Sequence, residues 1–203
     1  MYVLSLKDWK VADLRRTLPC FANTRTLARG TFSAVFETPD PTRILKLTTD
    51  PTHYSYLTDG LSPDGPHKPV VLHDYGEVGE TSDELPLYLV ELERLQKVRA
   101  GTENGLLTRR IVRHTNKDPD RRYPDDPDHV PGMPPSLVRF LDDLNHFIFN
   151  LAFTPDVHGA NFMERADGTL VVNDPVFDNK LLLRTSKERY RKKQESRGNA
   201  YPF

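Results

Sequence analysis

Two carboxylates and one amide in the last quarter of the chain have residue types and a spacing that suit phosphoryl transfer. Asp156 stands five positions before Asn161 in Asp-Val-His-Gly-Ala-Asn, and Asp174 follows thirteen positions later (174 − 161) behind a short apolar run. Phosphoryl transfer needs a carboxylate that orients the attacking hydroxyl, together with an amide and a second carboxylate that hold magnesium on the phosphates. These three residues are therefore the first candidates for a catalytic site.

The residues between Asn161 and Asp174 predict a β-hairpin that would bring those two side chains together. Residues 162–165 and 169–173 can each form a short strand, and Ala-Asp-Gly at 166–168 is a tight-turn signal. In such a hairpin the two ends lie side by side, where one cation could bridge the amide and the carboxylate. The alternative is an ordinary hairpin next to ordinary loop residues. The spacing of the three candidates is that of the D-x-x-x-x-N loop and the metal-binding Asp of protein kinases.

Two upstream segments could contact the phosphates of a nucleotide. Residues 27–36, Leu-Ala-Arg-Gly-Thr-Phe-Ser-Ala-Val-Phe, are similar to a reduced form of the phosphate-covering loop of kinases. Gly30 would let the backbone turn tightly, and Thr31 and the small Ser33 would lie where it approaches phosphate. Lys46 stands inside a short apolar strand, as does the Lys of the V-A-I-K motif that pairs the α- and β-phosphates. The alternatives are a simple hairpin at the glycine and a solvent-facing lysine on an edge strand.

A third segment, residues 87–95, reads as a strand that runs into a linker. In protein kinases the strand at this place leads into the hinge, whose backbone binds the adenine edge. The carbonyl of Glu93 and the N–H of Leu95 are therefore the candidate adenine partners.

The order of these motifs resembles the early serine/threonine protein kinase family of phage T7 and its relatives. The resemblance rests on Pro-Asp-Val-His-Gly-Ala-Asn-Phe-Met at 155–163 and on Val-Asn-Asp-Pro-Val-Phe at 172–177, which stands where most kinases carry Asp-Phe-Gly. It covers about residues 25–180 and is strongest over 150–178. It implies a protein kinase made early in infection that uses ATP and Mg²⁺ and acts on host bacterial proteins, with transcription and RNA-processing machinery among the targets.

The resemblance also implies a role for each motif residue. The catalytic base would be Asp156, the metal ligands Asn161 and Asp174, the phosphate anchor Lys46 and the loop glycine Gly30. His158 falls where protein kinases place a lysine near the γ-phosphate. It would either donate to phosphate or shape the loop through its own hydrogen bonds.

One expected residue is missing. The phosphate-binding lysine of a protein kinase pairs with a glutamate from a helix, and this chain has no glutamate between residues 38 and 76. The residue that orients Lys46 stays open among four candidates, which carry a carboxyl or a hydroxyl group: Asp50, Asp59, Tyr54 and Tyr56.

We predict an α+β fold of a reduced bilobal protein-kinase type, with an antiparallel-sheet N-lobe and an abbreviated helical C-lobe. Only 29 residues (203 − 174) follow the second carboxylate, which favours a shortened C-lobe. A Pro- and Asp-rich stretch predicts a loop or a partly disordered insert. The expected divisions of one kinase-like domain, residues 1–203, are an N-lobe at about 1–92, a shortened C-lobe at 93–183 with the insert at 116–135, and a basic tail at 184–203.

Hydrophobic periodicity places the elements. Helices are expected over about 8–18 and 97–114 and from 136 to 154, the last with a continuous apolar stripe. Strands are expected up to about 46, and then over 70–78 and 86–92. A Tyr-rich, weakly helical piece separates the two groups of strands.

Composition favours an intracellular protein, and the resemblance to a phage kinase family implies the host cytoplasm. The one cysteine, Cys20, cannot form an internal disulfide, so a reducing compartment is expected. The chain begins without a signal-peptide pattern and has no apolar run near the roughly 20 residues of a membrane span. The net charge of −1 favours no particular partner.

Two other functions remain open. A small-molecule kinase of the aminoglycoside-phosphotransferase type is one, because D-x-H-x-x-N loops occur there, although Thr154 and Pro155 replace the usual His-Gly ahead of the catalytic Asp. A non-catalytic kinase-like protein that binds a host target is the other. The basic tail would usually be a solvated helix, and nucleic-acid binding through it is the less favoured reading.

Overall fold

A five-stranded antiparallel sheet forms the N-terminal part of the molecule. The computed structural model describes residues 9–118, 120–126, 128–184 and 187. The sheet strands are β1 (Arg25–Arg29), β2 (Ser33–Glu37), β3 (Arg43–Thr48), β4 (Val71–Glu80) and β5 (Pro86–Glu93), arranged in the order β1-β2-β3-β5-β4. Every neighbouring pair is antiparallel. The predicted antiparallel N-lobe is confirmed, with its strands at the expected places.

Side chains along β2 and β3 alternate between the two faces of the sheet. On one face Phe36 packs in a cluster with Val11 of helix α1 (Trp9–Thr17). This is the predicted N-terminal helix, and it covers that face of the sheet. On the other face Val35 and Lys46 stand opposite each other on the two strands. Lys46 is only 4% exposed and lies on the central strand. It is therefore not a solvent-facing lysine of a sheet edge.

Helix α2 (Pro51–Thr58) follows β3 directly. The Asp50 carboxylate caps it by accepting two N–H groups of its first turn at 2.8 and 3.2 Å. The helix is short, and it buries His53 and Tyr56. The Tyr56 hydroxyl donates to the Val172 carbonyl oxygen at 2.6 Å, which ties α2 to the C-terminal part of the chain.

Two longer helices and several short strands build most of the described C-terminal part. They are β6 (Gln96–Lys97), α3 (Glu103–Thr115), α4 (Pro135–Asn150), β7 (Thr154–Pro155), β8 (Phe162–Glu164), β9 (Leu170–Val172) and β10 (Val176–Phe177). β8 and β9 pair antiparallel, and β7 pairs with β10 in the same sense. The turn at Gly168, with φ of +88°, closes the β8–β9 hairpin. The hairpin predicted between Asn161 and Asp174 is confirmed.

Helix α4 carries the predicted apolar stripe, whose buried members are Leu137, Phe140, Leu141, Leu144, Phe147 and Ile148. Together with residues of α2, α3 and the β8–β9 hairpin they form the larger of two buried clusters. The helix ends at Asn150, and the chain then enters β7 and the Asp156 loop. The core packing of α4 therefore sets the position of that loop.

Helix α3 begins six residues later than predicted, at 103 and not at 97. Gln96 and Lys97 pair with β8 as a strand. The Thr102 hydroxyl then caps the helix by accepting the Gly105 N–H at 3.1 Å. Local strand pairing and a capping residue overrode the helical periodicity of the first few residues.

The insert at 116–135 is a loop, as predicted, and its described residues also contribute to the core. Tyr123, Val130 and Met133 are buried in the larger cluster. Asn145 of α4 holds Tyr123 by two backbone hydrogen bonds, accepting its N–H and donating to its carbonyl oxygen, each at 2.9 Å. These contacts hold Tyr123 in the core.

The fold is α+β, as predicted, with the antiparallel sheet in the N-terminal part and the two larger helices in the C-terminal part. None of the helices in the described ranges is both long and apolar enough to span a membrane. Residues 179–184 are helical. The rest of the predicted basic tail, apart from Lys187, lies outside the described residues.

A substitution in α3 tests the close approach of its first turn to the preceding loop. A Cβ at Gly105 would clash with the Arg99 carbonyl oxygen. We expect Gly105→Ala to lower the free energy of unfolding by about 1–3 kcal/mol, although alanine is the better helix former. Urea unfolding followed by circular dichroism measures the change. The control is Gly60→Ala, where an added Cβ meets nothing within 4 Å. Equal stability of both variants would contradict this packing.

Candidate active site

A small cavity beneath the β1–β2 loop gathers several of the predicted site residues. Its volume is about 150 Å³. Its walls are formed by Gly30, Thr31, Phe32, Ser33, Thr48, Asp50, His53, Asp156, Asp174, Val176 and Phe177. The structure thus places the predicted phosphate-covering loop over the predicted catalytic and metal-binding carboxylates.

Asp174 lies between two nearly buried basic side chains. Lys46 Nζ is 3.5 Å from its Oδ2, and His53 Nδ1 is 2.5 Å from its Oδ1. The two basic side chains are 4% and 3% exposed, and that of Asp174 is 31% exposed. Burial acts to raise the pKa of Asp174, but the neighbouring His53 and Lys46 outweigh it and hold the pKa well below its ordinary value of 3.8. Asp174 is therefore ionised at neutral pH.

His53 is a site residue that the sequence reasoning missed. The four candidates for the partner of Lys46 are all engaged elsewhere: Asp50 caps α2, Asp59 accepts the Leu61 N–H, Tyr54 donates to Asp74 and Tyr56 donates to Val172. Lys46 instead pairs directly with Asp174, and α2 directs His53 to the other oxygen of the same carboxylate. One sequence signal could have found it, since His53 stands three positions after the helix-capping Asp50 and shortly after the strand that carries Lys46.

Backbone hydrogen bonds fix the relative positions of the three motif residues. The Asp156 N–H donates to the Pro175 carbonyl oxygen at 2.7 Å, beside the β7–β10 pairing. The side-chain amide of Asn161 donates to the Asp156 carbonyl oxygen at 2.9 Å, and the Asn173 N–H donates to the Asn161 carbonyl oxygen at 2.7 Å. The hairpin therefore brings Asn161 to the residue next to Asp174, as its sequence predicted.

Burial raises the pKa of the Asp156 carboxyl, although a hydrogen bond with Asn161 lowers it and the charge of Asp174 raises it again. The Tyr123 hydroxyl supports the same loop from the insert. It lies 3.2 Å from the Pro175 carbonyl oxygen and 3.4 Å from that of Asp156. Asp156 thus sits on a rigid backbone with a carboxylate that is more basic than an exposed one.

His158 shapes the loop through a hydrogen bond to its own backbone. Its Nδ1 accepts the Ala160 N–H at 3.2 Å and caps the 3₁₀ turn Gly159–Asn161. An accepting Nδ1 carries no proton, so the proton of the neutral ring is on Nε2. The side chain is exposed at the mouth of the site. This contact is the loop-shaping role, and donation to a phosphate from Nε2 stays a prediction.

The β1–β2 loop is held down onto the end of β3. Gly30 N–H donates to the Ser33 carbonyl oxygen at 2.8 Å, which leaves Thr31 and Phe32 as the tip. The Phe32 carbonyl oxygen accepts the Thr49 N–H at 2.8 Å. A Cβ at Gly30 would stand only 3.2 Å from the Ser33 hydroxyl oxygen, so glycine permits this tight turn.

A second and larger cavity, of about 680 Å³, extends from Lys46 to the strand that follows β5. Its lining is apolar on the sheet side and on the β8 side, and comprises Leu27, Ala28, Val35, Ile44, Lys46, Glu93, Arg94, Leu95, Lys97, Val98, Gly159, Ala160, Phe162, Met163 and Asn173. Because Lys46 lines this cavity and Asp174 lines the smaller one, the two meet at that ion pair. An apolar slot that ends at a lysine and a carboxylate suits a nucleoside with its phosphates.

Glu93 and Leu95 both line the larger cavity, where the adenine hinge was predicted. The side chain of Glu93 also has a structural task, since it forms a two-pronged ion pair with Arg165 at 2.6 and 2.9 Å. That pair links the end of β5 to the β8–β9 hairpin. The backbone contacts of Glu93 and Leu95 with adenine stay a prediction.

The residues present fit a magnesium ion that is shared with a nucleotide. Asn161 uses its amide nitrogen on Asp156, which leaves its side-chain oxygen as a possible ligand beside the ionised Asp174. Among the described residues, no group of three or more His, Cys, Asp or Glu side chains could hold a metal by itself. Magnesium is commonly bound by one or two protein ligands together with phosphates and water, which agrees with this sparse donor set.

Comparisons with known proteins give matches among solved structures. No protein-family model and no curated protein matches the chain. Solved structures that resemble it include a thermostable mutant of aminoglycoside phosphotransferase APH(4)-Ia in a ternary complex with AMP-PNP and hygromycin B, at 18% identity over 55% of this chain and 38% of that one, with a TM-score of 0.28. The apo form matches at 18% identity over 47% and 32%, with a TM-score of 0.24. The chain thus spans about a third of those structures, and likeness at this level says nothing about activity.

The stability of two carboxylate variants tests the electrostatics of the site. Asp174→Ala leaves the buried Lys46 without its partner, and we expect it to lower the free energy of unfolding at pH 7 by roughly 2–4 kcal/mol, less than for a fully buried pair. The folded-state pKa of Asp174 is lowered, so its ionised form stabilises the folded protein. This stabilisation is fully present above pH 3.8, the ordinary pKa of the group, and is lost as the pH falls below that value. The difference between wild type and variant should therefore shrink on acidification. Urea unfolding at several pH values measures it.

The matched control is Asp156→Asn. Since burial disfavours the Asp156 charge, this variant should be as stable as the wild type at pH 7 or more stable by up to about 1 kcal/mol. A larger loss from Asp156→Asn than from Asp174→Ala would overturn the assignment of the two environments.

A bulky residue in the larger cavity tests whether it holds the base of a nucleotide. Val35 lines the cavity opposite Lys46. We expect Val35→Trp to weaken ATP binding about tenfold or more, which corresponds to about 1.4 kcal/mol, because the indole occupies the space needed by the adenine. Leu61→Trp is the control, at a side chain that is 76% exposed. Titration with a fluorescent ATP analogue compares the two, and equal affinities would place the nucleotide elsewhere.

Proposed function

We propose that the protein is an ATP- and Mg²⁺-dependent protein kinase that phosphorylates serine or threonine residues of host bacterial proteins during phage infection. The observation that carries the proposal is the meeting of Lys46, Asp156 and Asp174 where an apolar cavity joins a polar one, with the Asn161 amide hydrogen-bonded to the Asp156 backbone beside them. A phosphotransferase needs this order of groups, with a base pocket, a phosphate anchor, a metal-binding pair and a residue for the acceptor hydroxyl.

Each residue has a chemical task in this mechanism. Lys46 would move from Asp174 toward the nucleotide phosphates, and the β1–β2 loop would cover them with its backbone. Asn161 and Asp174 would hold Mg²⁺, which supplies charge neutralisation on the phosphates. Asp156, with its raised pKa, would accept a hydrogen bond from the acceptor hydroxyl and take its proton as the phosphoryl group is transferred.

The shape of the mouth favours a large substrate over a small one. His158, Gly159 and Ala160 are exposed beside Asp156. A side-chain hydroxyl on the surface of another protein can reach Asp156 from this open side, whereas a small substrate gains most of its affinity from enclosure. The role in infection and the choice of host proteins rest on the sequence resemblance alone.

Incubation with ATP labelled at the γ-phosphate, Mg²⁺ and a bacterial lysate tests the proposal. We expect label on serine or threonine of host proteins. Asp156→Asn should lower turnover by about a hundredfold or more while ATP affinity stays within about threefold, because the residue acts on the hydroxyl and not on the nucleotide. Label in metabolites would identify a small-molecule kinase. ATP binding without any transfer would identify a non-catalytic kinase-like protein.

A further inference from the structure

One buried side chain of the site has no counterpart in the mechanism above. His53 is 2% exposed and lies in the first turn of α2, on the wall of the small cavity beneath the β1–β2 loop. Within the described part of the chain, neither ring nitrogen makes a hydrogen bond of regular geometry, and the Nδ1 approach to Asp174 is an ion-pair contact. The 2.5 Å contact between Nδ1 and Asp174 Oδ1 places the ring directly against the carboxylate. This approach is favourable when Nδ1 carries a proton.

We propose that His53 is a positioning residue for Asp174, which it holds in the orientation that receives Mg²⁺ with the nucleotide. It takes the place of the helix glutamate that this chain lacks, and it acts on the metal-binding carboxylate and not on the lysine. The inference rests on the proposed function for the identity of the metal and the nucleotide. The geometry of the contact is independent of it.

The charges in the cavity explain why a basic residue stands here. Lys46 already has a carboxylate partner in Asp174, so a glutamate on α2 would bring a second carboxylate next to the first. Asp50 and Asp156 line the same cavity and add further negative charge. His53, as a donor on α2, occupies one oxygen of Asp174. When Lys46 moves to the phosphates, this contact still fixes the orientation of the second oxygen. Partners of this kind orient metal-binding groups in many proteins.

The framework around His53 is rigid enough for this role. Asp50 accepts the His53 N–H with Oδ1 and the Asp178 N–H with Oδ2, each at 3.2 Å. The same carboxylate thus joins the start of α2 to the segment that follows Asp174. Further along α2, the Tyr56 hydroxyl anchors the inner face of the helix to the Val172 carbonyl oxygen. Hydrogen bonds from Asp50 and Tyr56 therefore fix the backbone of α2 before and after His53, and this backbone sets the position of the ring.

The test measures metal dependence as well as turnover in three variants. His53→Ala removes the donor, and His53→Gln restores an N–H that can reach Asp174. Tyr56→Phe is the matched control, since it weakens the anchoring of the same helix without touching the carboxylate. For each we would titrate Mg²⁺ against binding of a fluorescent ATP analogue, repeat the binding in EDTA, and record turnover and the thermal midpoint.

We expect His53→Ala to raise the Mg²⁺ concentration for half-maximal binding about tenfold and to lower turnover by about 10–100-fold, with binding in EDTA unchanged within about twofold. His53→Gln should recover most of both losses. Tyr56→Phe should lower the thermal midpoint and leave the Mg²⁺ requirement as in the wild type. An unchanged Mg²⁺ requirement in His53→Ala, or equal defects in all three variants that follow their thermal midpoints, would overturn the inference.

Failure of the inference and failure of the proposed function give different results. If the wild type transfers phosphate and His53→Ala keeps its Mg²⁺ requirement, the function stands and the positioning role is wrong. If the wild type transfers nothing but its Mg²⁺-dependent nucleotide binding responds to His53, the positioning role stands and the kinase proposal is wrong.

Discussion

The ion cluster of Lys46, Asp174 and His53 is the interaction on which the rest of the site depends. Its three members come from β3, from the segment after β9 and from α2, which are distant in sequence. A buried charge without a partner costs several kcal/mol, so none of these elements can shift alone. The cluster therefore couples the sheet to the C-terminal part and fixes the cavity between them. It also explains why Asp174 is held ionised, although its partial burial acts to raise its pKa.

Much of the fold around this cluster could be predicted because its signals are local. The Asp167-Gly168 turn and the short apolar runs beside it specify the β8–β9 hairpin, and the hairpin alone brings Asn161 next to Asp174. The apolar stripe of α4 follows from helical periodicity over four turns. Both patterns predict a local structure, and its geometry largely fixes the positions of the candidate site residues next to it.

The residues that sequence reasoning missed are those whose roles depend on long-range contacts. His53 is an ordinary histidine in a weakly helical segment until β3 and the β9 end bring Asp174 to it. Tyr123 stands in a stretch whose proline and aspartate content predicts a loop, and composition says nothing about one aromatic side chain in it. Glu93 was expected to use its backbone, and its side chain proved to hold Arg165. No local pattern encodes any of these three partners.

Tyr123 of the insert supports the Asp156 loop. Its ring fills the core between the insert and α4, and its hydroxyl lies near two carbonyl oxygens that flank the β7–β10 pairing. Those carbonyls belong to Asp156, which carries one of the two candidate carboxylates, and to Pro175, which follows the other at Asp174. The buried Tyr123 hydroxyl lies within reach of both carbonyl oxygens. Moving the Asp156 and Pro175 segments apart would leave a buried polar group without a hydrogen-bond partner, so the hydroxyl stabilises their pairing. The insert is therefore part of the support of the site through one buried aromatic anchor.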